Sequence, residues 1–123
     1  MKLIISGDPR TMKNSQRLIH TGHGVIPLYS KAYEQYRADF VRQVTGDKRK
    51  AINYPVNVKC EYYMQTHRRV DLVNLLEATN DLLVDALVLA DDNSNIIVSH
   101  DGSRVLYDKK NPRVEIEITE VRS

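Results

Sequence analysis

The sequence predicts an α+β domain in which a small mixed β-sheet packs against two main helices. Segments with the alternating apolar pattern of strands lie near the start, in the middle and at the end of the chain. Two further segments repeat apolar residues at helical spacing, so the elements follow in the order β, α, β, α and then β-rich. With 123 residues, 41% of them hydrophobic and 28% charged, we expect one globular domain over residues 1–123.

The first half of the chain predicts a strand, a long irregular stretch and a helix. Residues 2–6 favour a short strand, whereas residues 7–29 contain prolines, glycines and few apolar residues, which indicates a long loop or extended arm. Ser30 is expected to cap a helix that Gly46 ends. The apolar residues at helical spacing in this segment are Tyr33, Tyr36, Phe40, Val41 and Val44.

The middle of the chain predicts a half-buried strand over residues 56–64 and a second helix over about 72–87. At 100° per residue, one face of this helix is apolar and carries Leu72, Leu75, Leu76, Thr79, Leu82 and Leu83. The opposite face is mostly acidic and carries Val73, Asn74, Glu77, Asp81 and Asp85. We expect the apolar face to pack on the sheet and the acidic face to remain for solvent or chemistry.

The last third predicts a turn followed by short strands. Residues 91–95 favour a turn, and residues 96–98 favour a strand. The pair Asp101 and Gly102 is typical of a hairpin, which would lead into a strand over 103–107. A last strand is expected where apolar residues alternate at Val114, Ile116 and Ile118.

The bulk properties exclude several classes of protein. A single cysteine, Cys60, cannot form an internal disulfide and is expected to pack as a small apolar side chain. The start of the chain does not resemble a signal peptide, and no apolar run is long enough to span a membrane. The net charge of +2 is too small to hold a polyanion unless the cations cluster on one face.

Acidic residues are the strongest candidates for chemistry, because six of them fall between positions 71 and 92. Asp71 precedes the second helix, and Asp91 and Asp92 follow it, so the helix could bring both groups to one end of the fold. Converging carboxylates repel one another unless a cation neutralises them, and two or three suffice for Mg²⁺, which activates water for phosphodiester hydrolysis. The alternative is structural: Asp71 caps the helix, and Asp91 and Asp92 form a solvated turn.

Basic residues beside these acids could bind phosphate. Arg68 and Arg69 stand directly before Asp71, while Lys13 and Arg17 lie in the N-terminal stretch with Asn14. A solvated charged surface is the alternative interpretation. Residues 91–95 resemble the start of a calcium loop, but the sixth position lacks glycine and the twelfth lacks glutamate, so that motif is excluded. His20 and His23 give only a weak metal signal, and no nucleotide-binding or serine-hydrolase motif is present.

The run from Arg68 to Leu75, together with Asp91 and Asp92, resembles the RusA family of Holliday junction resolvases. The family pattern is a basic residue, Asp-x-Asp-Asn-Leu, a helix, and Asp-Asp before a strand. Residues 9–17 also resemble the family's early loop, which contains proline, asparagine and arginine. The resemblance implies a dimeric Mg²⁺-dependent endonuclease, with Mn²⁺ as a substitute, that cuts four-way DNA junctions by paired nicks.

The resemblance further implies Asp71, Asp91 and Asp92 as catalytic metal ligands. For DNA binding it favours Arg68, Arg69, Lys13, Asn14 and Arg17. Because such enzymes commonly come from bacteriophages or prophages, it also implies the bacterial host cytoplasm as the location. A homodimer suits this substrate, since a four-way junction has two-fold symmetry.

Two positions depart from the family pattern. Val73 replaces the second aspartate of the motif, and Glu77 replaces a lysine six residues after Asp71. Because Val73 and Glu77 are four residues apart on one helical face, we hypothesise that Glu77, with Asp81 behind it, supplies the missing carboxylate. The alternatives are a non-catalytic protein that still binds branched DNA, and a phage structural module that binds no DNA.

Overall fold

The computed structural model describes residues 1–12, 16–21 and 24–122, with side-chain surroundings described for residues 1–12 and 30–122. The elements in chain order are β1 (Lys2–Ser6), β2 (Gln16–Thr21), β3 (Gly24–Tyr29), α1 (Lys31–Gln43), a 3-10 helix (Gly46–Lys48), β4 (Val56–Met64), α2 (Leu72–Asp85), β5 (Ile97–Ser99), β6 (Arg104–Tyr107) and β7 (Arg113–Glu120). This mixed sheet with two helices confirms the predicted α+β class.

The main sheet has the order β1-β7-β4, with β5 and β6 both pairing the other edge of β4. The β1–β7 and β7–β4 pairs are antiparallel, whereas β5 and β6 run parallel to β4. Strand β4 alternates strictly between buried and half-buried residues, as a strand with one packed face should. Its buried residues, which belong to the core, are Val56, Val58, Cys60, Tyr62 and Met64.

Both helices bury the faces that their sequence periodicity predicts. Helix α1 begins at the predicted cap, where the Ser30 hydroxyl accepts a hydrogen bond from the Tyr33 backbone N–H at 3.2 Å. Its buried residues are Tyr33, Tyr36 and Phe40, and those of α2 are Leu75, Ala78, Thr79, Leu82 and Leu83. Thr79 is accommodated in the core because its hydroxyl and that of Tyr62 hydrogen bond at 2.7 Å. None of the helices among the described residues has the length and apolar character of a membrane span.

The structure differs from the predicted boundaries or connections in three places. Residues 7–29, predicted as a long loop or extended arm, form a hairpin over much of their length, since β2 and β3 form an antiparallel ladder. The β-branched residues Ile19, Val25 and Ile26 outweigh the turn residues that had suggested a loop. Helix α1 ends at Gln43 rather than Gly46, and α2 ends at Asp85, with Leu87 left-handed at φ 63°.

The predicted hairpin at Asp101 and Gly102 was also wrong. Gly102 does adopt a left-handed φ of 87°, but β5 and β6 do not pair with each other. They pair with the start and the end of β4, so the segment between them interrupts one edge of the sheet. Side chains replace the missing strand there: the Ser103 hydroxyl accepts from the Cys60 N–H at 3.0 Å, and His100 Nδ1 lies 2.7 Å from the Val58 carbonyl oxygen.

Arg49 explains where both helices end. Its guanidinium donates to the carbonyls of Val41 at 2.8 Å and Val44 at 3.1 Å, and to Ala86 at 3.0 Å. These carbonyls stand at the C-terminal ends of α1 and α2, where the helical ladder leaves acceptors unsatisfied. Arg49 therefore belongs to the fold, although it stands between two lysines, Lys48 and Lys50, in the sequence.

We expect Arg49→Leu to lower the free energy of unfolding by about 2 kcal/mol or more, because several charge-assisted hydrogen bonds are lost at once. Lys50→Leu is the matched control: Lys50 is exposed, and its replacement should change stability by no more than about 0.5 kcal/mol. Urea unfolding of both variants measures this difference. Equal effects would contradict the role of Arg49.

Candidate active site

Asp71 occupies the N-cap position just before α2, but its carboxylate does not cap the helix. Asp71 is extended, at φ −92° and ψ 126°, and makes no side-chain capping bond. Its Oδ2 is 3.4 Å from the Asn74 amide nitrogen, and the side chain is exposed. The carboxylate therefore lies near the helix N-terminus, which favours negative charge, and is accessible to a ligand.

A pocket of about 410 Å³ lies beside the exposed face of α2 and is lined by Val73, Leu76, Glu77, Asn80, Asp92 and His100. Glu77 comes from α2 and Asp92 from the turn that follows it, so the fold brings together two of the predicted acids. Asp71 is not among the lining residues. Among residues 1–12, 16–21 and 24–122, no group of three or more His, Cys, Asp or Glu side chains is close enough to hold a metal ion.

Asp91 organises the turn that carries Asp92. One carboxylate oxygen of Asp91 accepts the Asp92 backbone N–H at 2.8 Å, and the other accepts the Asn93 side-chain amide at 3.0 Å. The backbone hydrogen bond and then the amide hydrogen bond lower the pKa of Asp91. This is the turn role that the sequence left open as an alternative.

Asn80 and His100 form a polar chain at the inner side of the pocket. His100 Nδ1 is bonded to the Val58 carbonyl, and His100 Nε2 lies 3.0 Å from the Asn80 amide nitrogen. The Asn80 amide oxygen is buried and has no hydrogen-bond partner within the described structure. An unsatisfied buried acceptor is destabilising by about 1–3 kcal/mol, so a hydrogen-bond donor or a cation beside this oxygen would be stabilising.

Asp81 lies one helical turn beyond Glu77. Burial raises the pKa of Asp81 most, followed by the negative charges of Asp85, Asp92 and Glu77, while Arg37 opposes the shift. Arg37 itself pairs with Asp85 at 3.0 Å. The acidic face of α2 is thus a region of mutual repulsion that extends to Asp92 across the pocket.

We expect Asp81→Asn to stabilise the metal-free protein at pH 7 by about 0.5 kcal/mol. A raised pKa means that the folded state disfavours the ionised carboxylate, so the gain should disappear as the pH falls to about 4 and below, where the unfolded chain is also protonated. Urea unfolding across this pH range measures the effect. Asp85→Asn, which removes the partner of Arg37, should not stabilise, and a gain independent of pH would contradict the explanation.

The predicted phosphate-binding residues divide into two kinds. Arg68 is already engaged: it donates to Asp8 at 2.6 Å and to the Pro9 carbonyl at 2.7 Å, while Asp8 also accepts the Gln65 N–H. Arg69 is exposed and makes no ion pair with another described residue. Lys13, Asn14 and the side chain of Arg17 lie outside the described residues.

Sequence reasoning missed Asp8, Asn80 and His100. Asn80 could have been found, because it lies three residues after Glu77 on the same helical face. His100 could not, since its position depends on the interrupted sheet edge. Asp8 joins two segments that are distant in sequence, and nothing local in the sequence signals that contact.

A model of the family described as Endodeoxyribonuclease RusA matches residues 6–119, which is nearly the whole chain. The chain belongs to the RusA family. A search of curated protein sequences found no match. The RusA family acts on branched DNA junctions as an endodeoxyribonuclease, so membership supports nuclease activity. The matched range includes Asp71, Glu77, Asp91 and Asp92.

The RusA family also suggests use of a divalent metal, and the chemistry of the pocket fits one. Its potential donors are the carboxylates of Glu77 and Asp92 and the unsatisfied amide oxygen of Asn80. All three are oxygen ligands, the type that Mg²⁺ and Mn²⁺ prefer. Mg²⁺ typically takes only one or two protein carboxylates and completes its shell with water and substrate phosphate.

Proposed function

We propose that this RusA-family protein is a Mg²⁺-dependent endonuclease that resolves four-way DNA junctions by paired nicks, with Glu77 and Asp92 as metal ligands. The observation that carries the proposal is that these carboxylates share one pocket with Asn80, whose amide oxygen is buried and unsatisfied. A homodimer is part of the proposal, because two symmetric nicks require two active sites. The bacterial host cytoplasm is the location that we propose with it.

The orientation of Asn80 follows from its neighbours. The Val58 carbonyl can only accept, so Nδ1 of His100 donates to it, and in the tautomer that is protonated at Nδ1 alone, Nε2 accepts. Asn80 must then direct its NH₂ group to His100, which leaves its oxygen without a partner. A carboxylate has no proton to donate to that oxygen, whereas a cation or a cation-bound water would satisfy it.

The remaining acids have separate roles in this proposal. Asp71 is exposed and lacks a capping bond. It stays a proposed metal ligand, or a contact on the side of the site where phosphate would bind, at the start of α2. Asp91 was predicted as a ligand, but both of its oxygens accept turn hydrogen bonds, so we assign it to positioning Asp92. A bound divalent metal would neutralise phosphate charge and make a water more acidic. Glu77, Asp92 and Asn80 would hold it.

A non-catalytic protein that binds branched DNA is the second candidate function. It is favoured by Val73, which is 72% exposed and lines the pocket at the family's aspartate position. A nicking assay on a synthetic four-way junction, in Mg²⁺ and in Mn²⁺, separates the two functions. Paired nicks support the endonuclease, while tight junction binding without nicks in either metal supports the second candidate.

DNA affinity is expected to fall steeply with salt, because phosphate contacts release counterions. About four such contacts would reduce affinity by on the order of 10² between 50 and 200 mM salt. Fluorescence anisotropy of a labelled junction measures the slope. Arg69→Ala should make the slope of log affinity against log salt concentration shallower by about 1. Arg68→Ala should change this slope by less, because Arg68 is paired with Asp8. A flat salt dependence would contradict a basic binding surface.

A further inference from the structure

An exposed aromatic pair lies just before the start of α2. The rings of His67 and Tyr107 stack with centroids 3.8 Å apart and an interplanar angle of 25°. Tyr107 is the last residue of β6 and pairs with Met64, while His67 lies in the segment that leaves β4. The pair therefore joins the end of the sheet to the segment that leads to Asp71.

Core packing does not account for this pair. Tyr107 is 44% exposed, and His67 is exposed as well, so each ring offers surface to a ligand. The two rings restrict each other's orientation by stacking, which leaves a rigid aromatic surface in contact with water. A large exposed ring held in one orientation has the form of a binding platform.

The charges around the pair suit a polyanion. Arg69 follows His67 by two residues, and Lys109 and Lys110 follow Tyr107; all three are exposed. The nearby acid, Asp108, pairs with Arg113 at 2.9 Å, and this hydrogen bond lowers the pKa of Asp108, although Arg113 also pairs with Glu115 at 2.8 Å. Stacking rings flanked by cations are typical of surfaces that bind unpaired nucleic acid.

The platform lies within reach of the candidate active site. Asp71 follows His67 so closely in the chain that even a fully extended backbone places their Cα atoms within ~14 Å. A few nucleotides of one DNA strand span that distance. The same strand could therefore contact both the rings and the start of α2.

We infer that His67 and Tyr107 form a stacking platform for a nucleobase whose face is exposed at the branch point of DNA. The inference rests on the proposed function, because it requires that the protein bind branched DNA. Every base has a π-face, so such stacking is tolerant of sequence. Bases in duplex arms are already stacked on their neighbours, whereas a branch point exposes base faces. The platform therefore favours junctions over duplexes.

The experiment uses the absence of tryptophan from the chain. Tyr107→Trp introduces a single fluorophore into the platform, and Tyr54→Trp is the matched control. Tyr54 is 43% exposed, close to the 44% of Tyr107, but precedes the opposite end of β4. We expect a four-way junction to quench the Tyr107→Trp protein, a duplex of the same sequence to quench it much less, and neither DNA to quench the control. Anisotropy of the labelled DNA reports binding separately.

A second measurement keeps the inference testable if tryptophan disturbs the pair. Tyr107→Leu should reduce junction affinity about tenfold with little change in duplex affinity, while Tyr107→Phe should bind as the wild type does. Junction binding with unchanged fluorescence, together with wild-type affinity of Tyr107→Leu, would overturn the platform alone. If the wild-type protein bound neither DNA, the proposed function itself would be overturned, and the platform with it.

Discussion

Asp92→Asn is expected to reduce junction cleavage by on the order of 10²–10³, the scale of losing one electrostatic stabiliser of a transition state. Asparagine has nearly the same shape, so the variant removes the charge and leaves the pocket in place. Because Asp92 is exposed, stability should change by no more than about 0.5 kcal/mol. Single-turnover cleavage of a labelled four-way junction in Mg²⁺ measures the loss, and a Mn²⁺ titration should show weaker metal binding.

Asp91→Asn is the matched control for Asp92→Asn, since it removes the same charge from the adjacent position. Its loss of cleavage should be much smaller, because asparagine can still accept the Asp92 N–H that holds the turn. If Asp91→Asn abolished cleavage and metal binding while Asp92→Asn retained both, the roles assigned to the two aspartates would be reversed.

Glu77→Ala is expected to reduce cleavage by a similar factor, on the order of 10²–10³, and Val73→Asp in the same protein should restore much of it. Both positions line the pocket that contains Asp92, one helical turn apart. If Glu77 has taken over from the missing aspartate, returning an aspartate to position 73 should supply a carboxylate to the same ion. Single-turnover cleavage of the junction by the single and double variants, with Mn²⁺ titration, measures the rescue.

Glu34→Ala provides the control for this series, because Glu34 is an exposed glutamate on α1 and does not line the pocket. It should cleave as the wild type does. Unchanged cleavage by Glu77→Ala would remove Glu77 from the mechanism. Loss without rescue by Val73→Asp would contradict the relocation of the ligand while leaving Glu77 itself required.

The parts of the fold that local patterns determine were predicted well. The alternation in β4 and the apolar faces of α1 and α2 depend only on the period of the backbone, and the structure confirms them. The connection between β5 and β6 was wrong because a turn signal at Gly102 does not specify the partner strand. Parallel pairing of both segments with β4 depends on contacts between parts of the chain that are far apart in sequence.

The candidate site divides in the same way. Glu77 and Asp92 could be named from residue type, helical spacing and family pattern, and the fold places them in one pocket. The polar chain from Val58 through His100 to Asn80 requires a gap in the edge of the sheet, which no local pattern reveals. Arg68 shows the reverse. Its position in the sequence suggested phosphate binding, yet it already forms an ion pair with Asp8, which lies near the N-terminus.

The most direct measurement is the anomalous difference density of a Mn²⁺-soaked crystal, which locates the ion without reference to activity. We predict a peak at about 2.1 Å from a carboxylate oxygen of Glu77 and from one of Asp92, with the Asn80 oxygen as a ligand or bonded to a metal-bound water. An ion bound away from this pocket, or one held by Asp71 with Glu77 and Asp92 both outside its coordination shell, would contradict the account.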